Sequence, residues 1–287
     1  MTEPGECTWG LYPIKICTIK LNENIMMLII RKVRWLLYTG VIMLLVANPK
    51  ACEKPAYEKP ACHLPQDFVY VKDINPSIIE SLRYYSKENF IGIQIDGYKA
   101  NRVILTKQAA EALSNVQQEL LKQGYSLVVY DAYRPQRAVD MFITWSQDLN
   151  DQVEKSKYYP RVDKSEVFQL GYVTKKSGHT RGSTVDLTII KLNSVPHEVQ
   201  IEKRYLTDGS QILFLNDGTI DMGSSFDLFD EASHHDTALV KPEFLKMRDY
   251  LREIMKKNGF YEYKKEWWHY TLKDEPFPNT YFDFDVE

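Results

Sequence analysis

Beyond Asp67, hydrophobic and polar positions follow the periods of helices and strands in turn, as in a mixed α/β domain. Apolar residues at helical spacing, with Gly124 placed to end the helix, predict a first helix through Ala109, Leu113, Val116 and Leu120. The apolar run from Tyr125 to Tyr130 predicts a buried strand directly after it. The domain is therefore expected to contain both helices and sheet.

Two further helices and a hairpin are predicted toward the carboxyl end. One helix should begin at Pro135, where a missing N–H costs nothing, and run toward Trp145. Another should begin near Pro242, end at Gly259 and bury the apolar residues Phe244, Met247, Leu251, Ile254 and Met255. The segments 260–263 and 268–272 then predict a closing hairpin.

The first quarter of the chain has a different pattern. Three basic residues precede an apolar run over residues 35–47, which has the charge order and length of a signal peptide and is short for a membrane anchor. An uncleaved anchor, or a buried helix in an unusual extension, is the alternative. The next segment is rich in Pro, Lys and Glu and predicts an extended linker. The predicted organisation is an extension with a signal peptide over 1–47, a linker over 48–66 and one domain over 67–287.

A signal peptide predicts export, with the periplasm as the expected location and no stable membrane association after cleavage. Without a functional signal the protein would stay in the cytoplasm. The formal net charge of −3 comes from nearly balanced acidic and basic residues, so no field of one sign is available to hold a polyanion. Nucleic acid is therefore not expected as a partner.

All four cysteines lie in the first quarter of the chain, at Cys7, Cys17, Cys52 and Cys62. Any metal site further along must therefore use His, Asp or Glu. The spacing of Cys52 and Cys62 permits a small disulfide loop in an oxidising compartment, but the sequence does not decide whether it forms.

Two distant segments contain residues that suit a metal site. His179 and Asp186 flank a glycine-containing turn, and an imidazole and a carboxylate are both good ligands for Zn²⁺. Far along the chain, His269 lies close to Glu266 in aromatic surroundings, and a carboxylate near a metal ligand can accept a proton from water. Since Glu266 and His269 are three apart, a regular strand would point them to opposite faces, so the backbone must turn or bulge if both serve one site.

A third segment, Asp131-Ala-Tyr-Arg134, stands at the predicted junction of strand and helix. Arg134 could hold the oxyanion that forms when a peptide bond is hydrolysed, and Asp131 could orient that arginine or cap the helix. Each residue alone has an ordinary interpretation: a solvated histidine, an exposed glutamate or a surface ion pair. Their combination is much less expected by chance than any one member.

The three segments, in this order, resemble the zinc D,D-peptidase superfamily, which also includes D-Ala-D-Ala carboxypeptidases and the amino-terminal domain of hedgehog proteins. The closer resemblance, over roughly Val69 to the carboxyl end, is to the D-Ala-D-Ala dipeptidases of the vancomycin-resistance (VanX) type. It rests on four motifs, which occupy residues 177–183, 222–235, 266–270 and 274–283.

The resemblance implies an α+β fold, a single zinc-peptidase domain in which a central, mostly antiparallel sheet is flanked by helices. It implies one Zn²⁺ per subunit, with the ligands His179, Asp186 and His269. It implies that Glu266 is the general base and later proton donor, and that Arg134 stabilises the transition state. The free ammonium group of the substrate, D-Ala-D-Ala, would be received by Asp227, Ser177 and Tyr84.

Two features depart from the family's usual pattern. The connection between Lys191 and Asp221 is longer and could form an added hairpin near the cleft. His234 and His235 are adjacent, and neighbours seldom chelate one ion, so packing or contact with the site is the preferred interpretation over a second metal.

Other functions remain open at this point. A D,D-carboxypeptidase or peptidoglycan endopeptidase of the same superfamily is one alternative, and Asp227 argues against it because a blocked amino terminus would leave that carboxylate unpaired. A non-catalytic, hedgehog-like zinc-binding module is the other, and the presence of Glu266 argues against it. The oligomeric state, and the choice between glycopeptide resistance and recycling of wall dipeptide, do not follow from the sequence.

Overall fold

The structure, a computed structural model, describes residues 64–287. The predicted signal peptide, most of the predicted linker and the Cys52–Cys62 pair lie outside these residues. Within the described part of the chain, no helix is both long and apolar enough to cross a membrane.

A five-stranded sheet forms the centre of the domain, and two smaller sheets of two strands each accompany it. Residues 64–287 contain nine strands: β1 Phe68–Tyr70, β2 Ile79–Glu80, β3 Ile104–Thr106, β4 Tyr125–Asp131, β5 Thr184–Lys191, β6 Gln200–Tyr205, β7 Gln211–Asn216, β8 Phe260–Tyr263 and β9 Glu266–Leu272. The central sheet has the order β2-β4-β5-β9-β8. Only β2 and β4 run parallel, so the predicted α+β fold with a mostly antiparallel sheet is confirmed.

Five α-helices accompany the sheets in the described residues: α1 Val71–Ile74, α2 Lys107–Lys122, α3 Gln136–Gln147, α4 Lys155–Tyr158 and α5 Pro242–Lys257. The predicted first helix is α2, and its apolar face is buried as the spacing indicated. Thr106 caps α2, because its side chain accepts a hydrogen bond from the Ala109 amide. The predicted strand follows at once as β4, whose residues are buried from Ser126 to Asp131.

The second predicted helix, α3, begins one residue later than expected. Pro135 is the residue before the first helical turn, and its φ of −55° and ψ of 147° are not helical. The helix runs past Trp145 to Gln147 and buries Phe142 and Trp145. Its first turn therefore follows Arg134 closely, which places that arginine at the junction between strand and helix.

The third predicted helix, α5, differs from expectation in what it buries. Leu251 and Met255 are buried, but Phe244, Met247 and Ile254 are only partly covered. The helix also buries a charged residue completely, Arg248. Its guanidinium donates to the carbonyl oxygens of Met222, Ala232 and His234 at 2.7–2.8 Å, and these bonds satisfy a charge that would otherwise be costly to bury.

Both predicted hairpins form. The closing hairpin consists of β8 and β9, with β9 beginning at Glu266, two residues earlier than expected. The connection between Lys191 and Asp221 contains the hairpin of β6 and β7. Neither of its strands lines the cavity that contains the predicted site residues. Instead, Arg204 of β6 pairs with Asp221 and stacks over Phe214, at 3.6 Å from the ring centroid.

Candidate active site

Three elements bring together the residues predicted as metal ligands. His179 lies on a short 3-10 turn, His179–Arg181, just before β5, and Asp186 lies on β5 itself. His269 of β9 is the direct cross-strand partner of Asp186. The antiparallel ladder therefore sets two of the three groups opposite each other, because directly opposed residues share one face of the sheet.

His179, Asp186 and His269 form the metal group, and their donor atoms lie close together. His179 Nε2 lies 3.2 Å from Asp186 Oδ2, His269 Nδ1 lies 3.0 Å from Asp186 Oδ1, and the two imidazole nitrogens are 3.3 Å apart. Asp186 Oδ1 is buried without a hydrogen-bond partner, although it is so close to an imidazole nitrogen. A buried oxygen normally has a hydrogen-bond partner. An oxygen that lacks one fits the role of a ligand to a metal ion.

Neighbouring groups favour the forms of these three side chains that bind a metal ion. His179 Nδ1 lies 2.8 Å from the carbonyl oxygen of Ala132, which favours a proton on Nδ1 and leaves Nε2 as the lone-pair nitrogen. Burial lowers the pKa of His269 and so favours the neutral imidazole that binds metals. Burial acts to raise the pKa of Asp186, but the neighbouring histidines outweigh it and keep this pKa below its usual value. Among the described residues, this is the one group of three or more such side chains that could hold a metal ion.

Glu266 reaches the same site because the pairing of β8 with β9 is irregular at this end of the hairpin. Tyr263 pairs with Glu266, whereas its neighbour Glu262 pairs with Tyr270, so the register shifts between these positions. The irregularity lets Glu266 Oε2 lie 3.5 Å from His269 Nδ1, and the expectation that the strand must turn or bulge is confirmed. Burial, and secondarily the charges of Asp186 and Asp227, raise the pKa of Glu266 well above its ordinary value.

Arg134 also lies close to the metal group. Its Nη2 lies 3.5 Å from Asp186 Oδ2 and 2.7 Å from Asp131 Oδ2, and its Nε donates to the same Asp131 oxygen at 2.8 Å. The guanidinium also stacks over the rings of Tyr84 and Phe142, at 5.0 and 5.1 Å. Asp131 therefore orients the arginine, which was one of its two predicted roles.

Asp227 lies at another wall of the site with a positive φ of 59°. Its carboxylate is buried and accepts a hydrogen bond of 2.8 Å from the Tyr84 hydroxyl. Burial first, and the charge of Asp186 second, raise its pKa well above the ordinary value. Ser177 is also buried, and its hydroxyl accepts a hydrogen bond of 3.3 Å from the His179 amide.

A single cavity of about 580 Å³ joins these groups. All eight predicted site residues line it: Tyr84, Arg134, Ser177, His179, Asp186, Asp227, Glu266 and His269. The other lining residues were not predicted as site residues: Phe168, the segment 171–175, Gly178, Tyr263 and an aromatic group of Phe90, Phe142 and Phe229. The segment 171–175 has no regular secondary structure, so no periodicity could have identified it.

The adjacent histidines lie outside the cavity lining. His234 Nε2 is 3.3 Å from the Tyr172 hydroxyl, and His235 is buried with both ring nitrogens lacking a hydrogen-bond partner. In the described chain neither belongs to a group that could hold a metal, so packing remains their preferred interpretation.

Comparison with known proteins gives a consistent result. The model of the peptidase M15 family, described as D-ala-D-ala dipeptidase, matches residues 65–208 and 211–287, including both strands of the β6–β7 hairpin. A D-alanyl-D-alanine dipeptidase of Streptomyces coelicolor is 41% identical over 220 residues, which are 77% of this chain and 98% of the relative. Proteins of the same name from Enterococcus faecium and Enterococcus faecalis are 37% and 38% identical, over 77% and 76% of this chain and 98% of each relative.

Proposed function

The chain belongs to the peptidase M15 family of D-Ala-D-Ala dipeptidases, and from that premise we propose that it hydrolyses D-Ala-D-Ala with one zinc ion held by His179, Asp186 and His269. Membership makes the chain a metal-dependent hydrolase, and it confirms the resemblance inferred from the motifs. The roles of single residues in this reaction are part of the proposal.

The ligand set favours zinc. Two ligands of a tetrahedral zinc ion with bonds of about 2.0–2.1 Å stand roughly 3.3 Å apart. The two imidazole nitrogens of this site are 3.3 Å apart, and they face different oxygens of Asp186 at 3.2 and 3.0 Å. Three protein ligands also leave one position open, as catalytic zinc sites do. A bound ion would supply Lewis acidity toward the scissile carbonyl and lower the pKa of a water molecule beside it.

Glu266 is the proposed general base. Its carboxylate lies beside the metal group, 3.5 Å from a ligand nitrogen, so it can take the proton of the attacking water. The same carboxyl group then passes the proton to the leaving amine, so no covalent bond between enzyme and substrate is needed. Its burial keeps bulk water from competing for that proton.

Arg134 is the proposed partner of the oxyanion. It is fixed by Asp131 and points past Asp186, so its charge is already oriented where negative charge develops on the carbonyl oxygen. A preorganised donor of this kind contributes about 3 kcal/mol to transition-state stabilisation in other enzymes. Asp131 acts through Arg134 and is a positioning residue.

Asp227, with Ser177 and Tyr84, is proposed to receive the substrate's free ammonium group. The observation that carries the substrate assignment is this buried carboxylate, which within residues 64–287 accepts a hydrogen bond from the Tyr84 hydroxyl alone and lines the same cavity as the metal group. A charged ammonium would satisfy it, whereas an acylated nitrogen would leave it desolvated and unpaired. The site therefore suits dipeptides with a free amino terminus.

The deciding experiment compares D-Ala-D-Ala with N-acetyl-D-Ala-D-Ala on the zinc-loaded protein. We expect release of D-alanine from the free dipeptide only, with one zinc per chain by elemental analysis. Cleavage of the acetylated compound at a comparable rate would favour a carboxypeptidase or endopeptidase instead. Cleavage of neither compound by metal-loaded protein would contradict the proposed function.

A further inference from the structure

Two basic side chains line the cavity in the described part of the chain, Arg134 and Lys175. Arg134 is already engaged, because two of its nitrogens bond to Asp131 and one of these also faces Asp186. Its charge is directed to the metal side of the cavity. A second anionic group of a bound ligand would therefore need another partner.

Lys175 is free to be that partner. It is exposed at the cavity wall, and within residues 64–287 no carboxylate lies at ion-pair distance from its ammonium group. The Gln136 side-chain amide lies 3.5 Å from the Lys175 carbonyl oxygen. The next lysine is directed elsewhere: Lys176 Nζ lies 5.6 Å from the centre of the Tyr281 ring, and Lys176 does not line the cavity.

We propose that Lys175 binds the carboxylate of the carboxyl-terminal residue of the dipeptide, and so makes the enzyme specific for a free carboxyl terminus. This inference rests on the proposed function, because it takes Asp227 as the site of the ammonium group. The two ends of an extended dipeptide are roughly 6 Å apart. Lys175 lines the same cavity as Ser177 and Asp227, so its flexible side chain is available to the other end of a ligand that these two residues hold.

The expected contribution is moderate because the lysine is exposed. Water screens an exposed ion pair, and holding a long side chain in one position costs entropy. The interaction should therefore act mainly on binding, through KM, with little effect on kcat. It should also weaken as ionic strength rises.

The test uses full-length, zinc-loaded protein and two ligands, D-Ala-D-Ala and its carboxyl-terminal amide, D-Ala-D-Ala-NH2. The amide is measured as a substrate, or as a competitive inhibitor if its turnover is slow. For Lys175→Gln we expect KM for the free acid to rise about 3- to 10-fold, and for Lys175→Glu to rise further, with kcat nearly unchanged. KM or Ki for the amide should not rise in the glutamine variant, since the amide has no charge for the lysine to attract.

Lys176→Gln is the matched control, because it removes the same charge from the adjacent position outside the cavity. It should leave the preference for the acid over the amide as in the unmodified enzyme. If Lys175→Gln and Lys175→Glu keep that preference, or weaken acid and amide equally, the inference is wrong. If the unmodified enzyme does not cleave D-Ala-D-Ala at all, the proposed function fails before the role of Lys175 is reached.

Discussion

Arg134 owes its position to a series of buried side chains. Both of its bonded nitrogens donate to Asp131 Oδ2, and the Tyr98 hydroxyl donates to Asp131 Oδ1 at 2.5 Å. Asp131 is fully buried, so the loss of either partner would leave a desolvated charge incompletely paired. The orientation of the arginine is therefore fixed before any substrate arrives, which is the condition under which a charge stabilises a transition state most effectively.

Glu266→Gln tests the assignment of this single residue as the general base. The amide keeps the shape of the side chain but cannot accept a proton from water, so kcat for D-Ala-D-Ala should fall about 10²- to 10⁴-fold. Glu266 is not among the three proposed ligands, so elemental analysis should find the same zinc stoichiometry in the variant as in the unmodified enzyme. Glu262→Gln on the neighbouring strand is the control, since that carboxylate pairs with Lys256 and does not line the cavity. Activity within a factor of a few of the unmodified enzyme in the Glu266 variant would contradict the assignment.

Among the elements, the turn that presents His179 depends on one glycine. Gly182 ends the turn with a φ of +81°, and a Cβ atom there would lie 2.3 Å from Phe68 Cε1. The Gly182 carbonyl also accepts a hydrogen bond of 2.7 Å from the Thr106 amide. The turn can thus lie directly on β1 and β3, and this close approach sets the position from which His179 reaches Asp186.

Gly182→Ala and Gly124→Ala separate backbone strain from steric clash. Both glycines have φ near +80°, but an added Cβ at Gly124 would meet nothing within 4 Å. We expect Gly124→Ala to lower the free energy of unfolding by about 1–2 kcal/mol through strain alone. Gly182→Ala should cost a further 1–3 kcal/mol or more from overpacking, and should weaken zinc binding. Urea unfolding measures the free energy of unfolding, and zinc titration measures the affinity for zinc. Equal losses of unfolding free energy in the two variants would show that the contact with Phe68 is unimportant.

The elements also show what the sequence could predict. The periodicity of α2 and the apolar run of β4 depend on local spacing, so both were predictable. The burial of Arg248 was not, because its acceptors are carbonyl groups of a loop that only the tertiary fold brings to α5. The metal group lies between these cases. Its residue types were recognisable, but the pairing of Asp186 with His269 depends on strand register, which single residues do not encode.

For the molecule as a whole, His235 is a source of sensitivity to acid. It is buried against the Tyr270 ring, and burial, helped by the charges of Arg252 and Arg248, lowers its pKa to about 3. The unfolded chain would bind a proton there near the ordinary value of about 6.5. The folded state does not, so the stability due to the neutral ring is complete above pH 6.5 and is lost as the pH falls toward 3.

His235→Phe should therefore reduce the loss of stability in mild acid. Between pH 6.5 and 5, His235 accounts for an expected loss of about 2 kcal/mol, which the phenylalanine variant should not show. The ring nitrogens make no hydrogen bond, so the substitution removes none. Urea unfolding at several pH values gives the comparison, with His197→Gln as the control at an exposed histidine. Parallel pH profiles for the original protein and the phenylalanine variant would show that His235 does not cause the acid sensitivity.

The family match begins at residue 65, and every proposed site residue lies beyond it, so the catalytic unit should not require residues 1–63. We propose that the apolar run over 35–47 serves export instead. A chain starting at Leu64 should keep the kcat and KM of the full-length enzyme for D-Ala-D-Ala. In a bacterial host, fractionation should find the full-length product in the periplasm and the shortened one in the cytoplasm. Loss of activity in shortened protein that still binds zinc would show that the first 63 residues contribute to the site, whereas equal distribution between fractions would refute export.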